Sequence, residues 1–319
     1  MTARYAVLLK VHYWDDFAER RLRHLLGKVR SGDVYVFVDE TYRSVPQFAY
    51  ERVVRATERD MEKLGMVLHP PGYIFWYNTD YPLYYFYLKN SSYDYYLMCE
   101  HDAVVNIDVD EFVQAAERDR VDYVGFPLAK THWPLQTCEG VYPESFTLYQ
   151  WLSCISLYSR RSVEFLLDRR QTLARRYKAG LITNWPNNEA FIPTEMHNNG
   201  FVVRKLGDFG KVDRYDWWPP SHENDLPLLQ EQAFLHPVLD ESRYVTSCMR
   251  HSILWGYFWP GTQLRRLLSR SSRFCSLPAF LMEADERTRR LMRRTLPPSL
   301  LQFIRRSRRA VARQGQRQG

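Results

Sequence analysis

The sequence predicts an α/β protein with a Rossmann-like, mostly parallel central sheet flanked by helices. Short apolar runs alternate with amphipathic segments through the first 127 residues, as in a sheet whose parallel strands are joined by helices. The 319 residues are 45% hydrophobic and 25% charged, which is enough apolar material for a large core and ordinary for a soluble domain. This composition excludes a collagen, a disordered chain and a disulfide-stapled mini-protein. No apolar run approaches about 18 residues, so we expect no transmembrane helix.

The first part of the chain supplies most of the predicted sheet. Five apolar runs of strand length are predicted as strands, at residues 5–12, 33–39, 65–69, 93–99 and 121–127. The segments between them are predicted as helices, at about 16–29, 50–64, 80–88 and 108–118. Asp15 or Asp16 can cap the first helix, because a short acidic side chain accepts hydrogen bonds from free N–H groups at a helix start. Gly65 is suited to end the second helix.

The middle of the chain is less regular. An insertion at residues 131–146 contains two prolines and a glycine and is predicted as a loop. Two strands and two helices are predicted after it, with strands at 153–159 and 200–206 and helices at 161–178 and 189–198. Residues 217–225 (WWPPSHEND) are predicted as a long polar and aromatic loop.

The composition changes sharply at Gly261, where we place a domain boundary between residues 1–261 and 262–319. The second part holds fifteen arginines, no lysine and three acidic residues, so the basic charge of the protein belongs to this extension. In residues 299–313 four apolar side chains cluster on one side of a helical projection and arginines on another. That pattern predicts a basic amphipathic helix on an anionic membrane surface. A solvated or disordered end is the alternative, and nucleic acid is not expected because aromatic residues are not interleaved with the arginines.

The cysteines and the N-terminal residues bear on the compartment. Five cysteines form an odd, scattered set without a CxxC pair, which suits a reducing environment. The opening residues MTARYAVLLKVHYWDD lack the basic region and cleavage site of a signal peptide. We therefore expect a cytoplasmic protein, peripheral on the inner membrane face if the extension binds lipid.

Polar residues follow the predicted strands at their carboxyl ends, where ligands bind in open α/β sheets. Glu100 and Asp102 stand two residues apart at the end of the fourth strand, so extended backbone would place both carboxylates on one face. Two such oxygen ligands can hold Mg²⁺ or Mn²⁺, which in turn can hold a diphosphate. The sequence has no glycine-rich phosphate loop and no dinucleotide fingerprint that could bind a diphosphate in place of the metal ion. The alternative is an acidic strand end facing solvent.

The segment YDYYLMCEHDAVV resembles the metal-binding segment of nucleotide-sugar-dependent glycosyltransferases of the GT-A fold, similar to family 2. Five further segments match in order between about residues 4 and 240. YAVLLKVHY and VYVFVDET resemble the first two strands of that fold, and WYNTDYPLYYFY its nucleotide-contacting helix. WPNNEAFIPTEMHNNGF resembles the acceptor-side helix, and FLHPV the late metal-binding segment. Two departures are present: the metal motif is EHD instead of DxD, and the acceptor-side helix lacks a Glu-Asp pair.

The resemblance implies sugar transfer from a nucleotide-diphosphate donor to a glycan or glycolipid acceptor, assisted by Mn²⁺ or Mg²⁺. The residues it implies for the donor are His12, Tyr13, Asp39, Asn78, Asp80 and Glu100. The implied metal ligands are Asp102, His236 and Glu100, although Glu100 could reach the ribose or a metal-bound water and His236 could be a core histidine.

The resemblance also implies a catalytic base on the acceptor-side helix. We favour Glu189 over Glu195, because Glu189 begins the predicted helix; a plain capping role for Glu189 is the alternative. Trp133, Glu139 and Glu144 lie in the 131–146 insertion, which could line an acceptor pocket or be a surface loop.

Two other functions stay open at the level of the sequence. A nucleotidyltransferase that makes nucleotide sugars would share the sheet and the metal. It usually carries a glycine-rich signature near the first strand, where this chain has HYWDDF. A catalytically inactive, transferase-like adaptor that binds membrane or a partner is the second alternative.

Overall fold

The computed structural model describes residues 3–72, 74–128 and 132–295. The chain forms two compact units, Met1–Val238 and Leu239–Gly319. The boundary thus lies at Leu239, before the composition change at Gly261 from which we predicted it. The predicted amphipathic segment at 299–313 lies outside the described residues.

The first unit is built on a seven-stranded sheet flanked by helices, which confirms the predicted α/β class. The strands are β1 (Tyr5–Val11), β2 (Asp33–Asp39), β3 (Val53–Ala56), β4 (Tyr95–Glu100), β5 (Val104–Val105), β6 (Tyr123–Pro127), β7 (Trp151–Ser159), β8 (Val203–Lys205), β9 (Ser221–His222), β10 (Phe234–Leu235) and β11 (Val238–Leu239). The order in the large sheet is β3-β2-β1-β4-β7-β6-β8, and β10-β5 and β11-β9 form two-stranded sheets. Strand β7 runs antiparallel to both β4 and β6, and the other neighbours in the large sheet are parallel.

Side chains cap several helices of the first unit at the positions where their sequences suggest it. The helices are α1 (Asp16–Leu26), α2 (Glu58–Lys63), α3 (Tyr81–Lys89), α4 (Val109–Arg118), α5 (His132–Gln136), α6 (Arg160–Lys178) and α7 (Asn188–Asn198). Asp15 caps α1, Asp108 caps α4 and Asn187 caps α7, each through its side-chain oxygen. These caps satisfy N–H groups that have no partner within the helix.

The hydrophobic core lies on both faces of the large sheet, because alternate side chains of a strand point to opposite faces. In β1, Val7 and Leu9 belong to the cluster on one face, and Ala6 and Leu8 to the cluster on the other. All seven residues of β1 are buried. This two-sided burial explains the continuous apolar run from which we predicted the strand.

Two predicted elements are wrong, and two segments predicted as loops contain short regular elements: α5 in residues 131–146, and β9 with the start of a 3₁₀ helix in residues 217–225. Instead of one helix over 50–64, the chain forms strand β3 beside β2 and then the short helix α2. The adjacent β-branched pair Val53 and Val54 favours a strand, and the open edge of β2 offers it a partner. Residues 65–69 form no strand: Met66 and Val67 are buried in the core as part of a loop.

The second unit is helical in its described part. It contains α8 (Glu241–His251), α9 (Gln263–Leu267) and α10 (Arg273–Thr295). Short 3₁₀ helices occur in both units, at Leu206–Asp208, Glu223–Leu228, Leu254–Tyr257 and Leu268–Arg270. Over the described ranges, no helix is long and apolar enough to span a membrane.

Candidate active site

The carboxyl ends of β1, β2 and β4 meet at one edge of the sheet, because these strands are parallel neighbours. Asp39 is the last residue of β2 and Glu100 the last residue of β4. His12 follows β1 directly, and Asp102 lies two residues beyond β4. Four of the predicted site residues are thus placed at the same edge.

Strand β10 carries His236 to this edge. Its residues pair with β5, which begins two residues after Asp102, and the Val238 N–H donates to the Asp102 carbonyl oxygen at 2.7 Å. His236 Nε2 lies 3.7 Å from Asp102 Oδ1. One ligand atom each of His236, Glu100 and Cys154 lie within 4.8 Å of one another. Two of the predicted metal ligands, Glu100 and His236, thus lie close together, and the third, Asp102, lies beside His236.

The charges in this cluster fit a cation. His236 Nδ1 lies 2.8 Å from the carbonyl oxygen of Asp216, which can only accept, so Nδ1 carries a proton and Nε2 is directed to Asp102. Asp102 Oδ1 is buried and has no hydrogen-bond partner among the described residues. Burial opposes ionisation of Asp102, but the charges of His236 and His101 lower its pKa, which keeps it a carboxylate. A buried carboxylate oxygen beside an imidazole nitrogen is a donor set that suits Mn²⁺ or Mg²⁺.

Cys154 contributes a neutral thiol to this cluster. Burial raises the pKa of Cys154 well above its usual range, and the negative charges of Glu100 and Asp102 add to the effect. Because the thiolate is the metal-binding form, Cys154 would have to lose its proton to bind a metal ion.

Lys10 is a site residue that the sequence analysis missed. It lies in β1 directly opposite Glu100 of β4, and its Nζ is 3.1 Å from Glu100 Oε1. The lysine side chain is almost fully buried, so it compensates the glutamate charge and fixes the position of its carboxylate. A lysine within an otherwise apolar strand was the signal that could have found it.

Glu189 lies within electrostatic reach of the same cluster. It is the second residue of α7 and is partly exposed. Burial and, to a smaller extent, the negative charge of Glu100 raise the pKa of Glu189 from 4.5 to about 8, against the opposing charge of Lys10. A carboxyl group whose pKa lies near neutral pH is suited to accept a proton from a hydroxyl group.

Glu195 is placed elsewhere by the same helix. It is fully buried, and its Oε2 accepts from Arg169 Nε at 3.1 Å and from Asn199 Nδ2 at 3.1 Å. These contacts hold α7 against α6. The structure does not bring Glu195 to the cluster.

Asn78 and Asp80 are also engaged in the interior. Asp80 forms a two-point ion pair with Arg170, with Nε–Oδ2 and Nη2–Oδ1 distances of 2.6 and 3.3 Å, and both side chains are fully buried. Asn78 Oδ1 accepts from Trp185 Nε1 at 3.1 Å. Their contacts join α3 to α6 and to the segment before α7.

The rings of two predicted donor residues, His12 and Tyr13, pack together with the ring of His101. The ring centroids of His12 and Tyr13 are 4.7 Å apart, and each ring also contacts His101 edge to face. Asp39 is nearly buried, and its Oδ1 accepts from the Thr41 N–H at 2.9 Å. Burial raises the pKa of Asp39. His12, Tyr13 and Asp39 thus offer ring faces and a carboxylate close together.

Arg21 is a second residue that the sequence analysis missed. It is buried on α1 and forms an ion pair with Glu223. Burial lowers the pKa of Arg21, and the negative charge of Asp102 opposes that shift. Its Nε and Nη1 are buried without a hydrogen-bond partner among the described residues. Through Glu223 it fastens the loop after β9 to α1. Its spacing of four residues from both Phe17 and Leu25, on the apolar face, was the available signal.

Two exposed tryptophans lie near the start of α7. Trp76 and Trp133 stack with ring centroids 5.1 Å apart, and the Tyr77 ring meets Trp133 edge to face. Thr137, just after α5, accepts the Asn187 N–H at 2.9 Å. This bond ties the segment that carries Trp133 to the cap of the helix that carries Glu189.

Comparisons with known proteins add little to these contacts. No protein-family model matches the chain, and no curated protein matches it. Among solved structures, it is similar to a glycosyltransferase involved in the glycosylation of the major capsid of PBCV-1, with 10% identity and a TM-score of 0.36. The match covers 83% of this chain and 97% of the other. At that TM-score the likeness carries no argument, so function must be argued from the residues at the sheet edge.

Proposed function

We propose that this protein is a glycosyltransferase that moves a sugar from a nucleotide diphosphate to a glycan or glycolipid acceptor. The observation that carries the proposal is the buried Oδ1 of Asp102, which has no hydrogen-bond partner among the described residues and lies 3.7 Å from Nε2 of His236 at the ligand-binding edge of the sheet. A buried oxygen that lacks a hydrogen bond is costly, and a bound cation would relieve that cost. The order of the segments that resemble GT-A glycosyltransferases supports the same function.

On the donor side, Asp102, His236 and Glu100 would hold Mn²⁺ or Mg²⁺. The bound ion would neutralise negative charge on the departing diphosphate. Lys10 fixes Glu100 by its ion pair. Asp39 would accept hydrogen bonds from ribose hydroxyl groups, and the His12 and Tyr13 rings would contact the base.

On the acceptor side, Glu189 is our candidate general base. The acceptor hydroxyl oxygen attacks the anomeric carbon, the bond from that carbon to the diphosphate oxygen breaks, and Glu189 takes the hydroxyl proton. Its pKa of about 8 makes its carboxylate basic enough for this role. Trp76 and Trp133, which stack on each other, would offer an apolar surface to an acceptor sugar.

We also propose that the arginine-rich segment at 262–319 binds an anionic membrane surface, which would place the protein peripherally on the inner membrane face. The support is its composition of fifteen arginines against three acidic residues. Each arginine near such a surface contributes about 1 kcal/mol. Nucleic acid is not proposed as a partner.

Thermal unfolding with uridine, guanosine and cytidine diphosphates, each with and without Mn²⁺, tests the donor proposal. At 100 times its dissociation constant a ligand adds about 2.7 kcal/mol of stability. We expect one diphosphate to stabilise the wild type only when Mn²⁺ is present, and Asp102→Asn to lose that gain. Asp213→Asn is the matched control, because Asp213 is exposed.

Two outcomes would contradict the donor proposal: equal stabilisation without metal, or an Asp102→Asn variant that responds as the wild type does. A response to nucleoside triphosphates in preference to diphosphates would instead favour nucleotidyl transfer.

A further inference from the structure

The second unit exposes a short run of large apolar side chains at residues 253–259, between α8 and α9, here named the apolar loop. Ile253 is 81% exposed, Trp255 71%, Trp259 68% and Phe258 54%. Isolated exposed apolar residues are common, but four within seven positions form a patch of the kind that marks an interaction site.

The apolar loop is held in place from behind. The Arg287 guanidinium of α10 donates to the carbonyl oxygens of Met249, Arg250 and Ser252 at 2.8–3.1 Å. Thr262 Oγ1 donates to the Gly256 carbonyl oxygen at 2.7 Å.

At the start of the apolar loop, exposed and buried residues alternate. Leu254 and Gly256 are buried, whereas Ile253 and Trp255 point outward. Tyr257 and Phe258 both pack on Phe280 of α10. The exposure therefore belongs to a fixed conformation.

The part of the second unit that carries the apolar loop is strongly basic. From residue 239 to 295 the chain holds eleven arginines, no lysine and five acidic residues. Three arginines of α10 are paired with acidic residues one turn away on the same helix: Arg287 with Glu283, Arg289 with Asp285 and Arg290 with Glu286.

Other arginines lie on α8 and α9, the helices on either side of the apolar loop. Arg250 and Arg266 are exposed on α8 and α9, and the Arg265 guanidinium lies 5.7 Å from the Tyr257 ring centroid. The exposed arginines Arg250 and Arg266, here named the basic collar, thus lie on the helices that precede and follow the apolar loop.

We propose that the apolar loop inserts into an anionic lipid surface, with Arg250 and Arg266 on the headgroups. Tryptophan is enriched where membrane meets water, and interfacial binding combines buried apolar area with attraction to anionic lipid. A second copy of the chain fits less well, because it would bring two basic collars together. The proposal rests on neither the proposed reaction nor the segment at 299–313.

Vesicle flotation of the full chain tests this surface, with vesicles of phosphatidylcholine alone and of phosphatidylcholine and phosphatidylglycerol in equal parts. The variants are the double substitution Trp255→Ser, Trp259→Ser and the milder Ile253→Ser. The control is Leu181→Ser with Leu228→Ser, which removes two apolar side chains of the first unit that are 70% and 72% exposed.

We expect the wild type and the control to float with the anionic vesicles. The double variant should bind at least about tenfold more weakly, because two large apolar side chains no longer leave water. High salt should weaken the contribution of the arginines and leave the difference between the wild type and the double variant.

The proposal is overturned if the wild type ignores anionic vesicles at low salt, or if the double variant binds as the wild type does. It is also overturned if the wild type forms a dimer without lipid that the double variant loses, with vesicle binding unchanged; a second copy then covers the loop. No arm measures sugar transfer or nucleotide binding, so its failure is distinct from failure of the proposed reaction. A double variant that binds as the wild type does would overturn the role of the apolar loop alone, whereas a wild type that ignores anionic vesicles would also refute the membrane role proposed for residues 262–319.

Discussion

Asp80→Asn separates the donor role that the sequence predicts for Asp80 from the internal ion pair that the structure contains. Asp80 and Arg170 are both fully buried, and Arg170 also lies 3.8 Å from the Phe191 ring centroid. The substitution leaves a charged guanidinium in the core without its carboxylate. Breaking a buried pair in this way costs about 3–5 kcal/mol. At about 2–4 °C per kcal/mol, the unfolding midpoint should fall by roughly 6–20 °C.

The control for this experiment is Asp94→Asn. Asp94 pairs with Arg160 at 3.1 Å, and both side chains are exposed. Because exposed pairs contribute about 1 kcal/mol or less, the midpoint should fall by no more than about 4 °C. Combining Asp80→Asn with Arg170→Met should recover part of the loss, since removing both charges costs less than stranding one.

Thermal unfolding by circular dichroism gives the midpoints, and nucleotide-diphosphate binding is measured at a temperature where every variant is folded. We expect a large fall in the midpoint with binding retained. An Asp80→Asn variant that unfolds with the wild type but no longer binds nucleotide would refute the structural role and restore the donor role.

Three further predictions concern Glu189, Glu195 and His236. Glu189→Gln should lower turnover by about 10²-fold or more, as for loss of a general base, and wild-type turnover should rise as pH increases through about 8. The pKa of Glu189 is raised from 4.5 to about 8, so the stability that its protonated form contributes is lost as pH rises over that range. Above pH 8, Glu189→Gln should therefore be more stable relative to the wild type than it is at low pH. Unfolding midpoints measured against pH test this. Glu195→Gln should lower stability with little change in initial rate, since it weakens the pair with Arg169; the reverse ranking would show that the wrong face of the helix was chosen. His236→Gln should raise the Mn²⁺ concentration needed for half-maximal nucleotide binding, whereas an unchanged requirement with a lower midpoint would make His236 a core residue.

Local signals in the sequence predicted much of the first unit. Strands β1, β2 and β4 are apolar runs, and the aspartates that cap α1 and α4 stand just before amphipathic segments. Burial on both faces of a strand and capping at a helix start depend on neighbours along the chain, which is why they could be recognised. Strand β3 could not, because it depends on the open edge of β2.

The sequence by itself determined the α/β class, the order of the main elements and the acidic residues that end β2 and β4. Only the tertiary structure decided which polar residues share a site. It brought His236 to Asp102 through the pairing of β10 with β5, and it placed Asp80 on Arg170, 90 residues away. The physical reason is that a buried charge is stable only beside a partner. Contacts between distant segments supply that partner, and no local sequence pattern predicts those contacts.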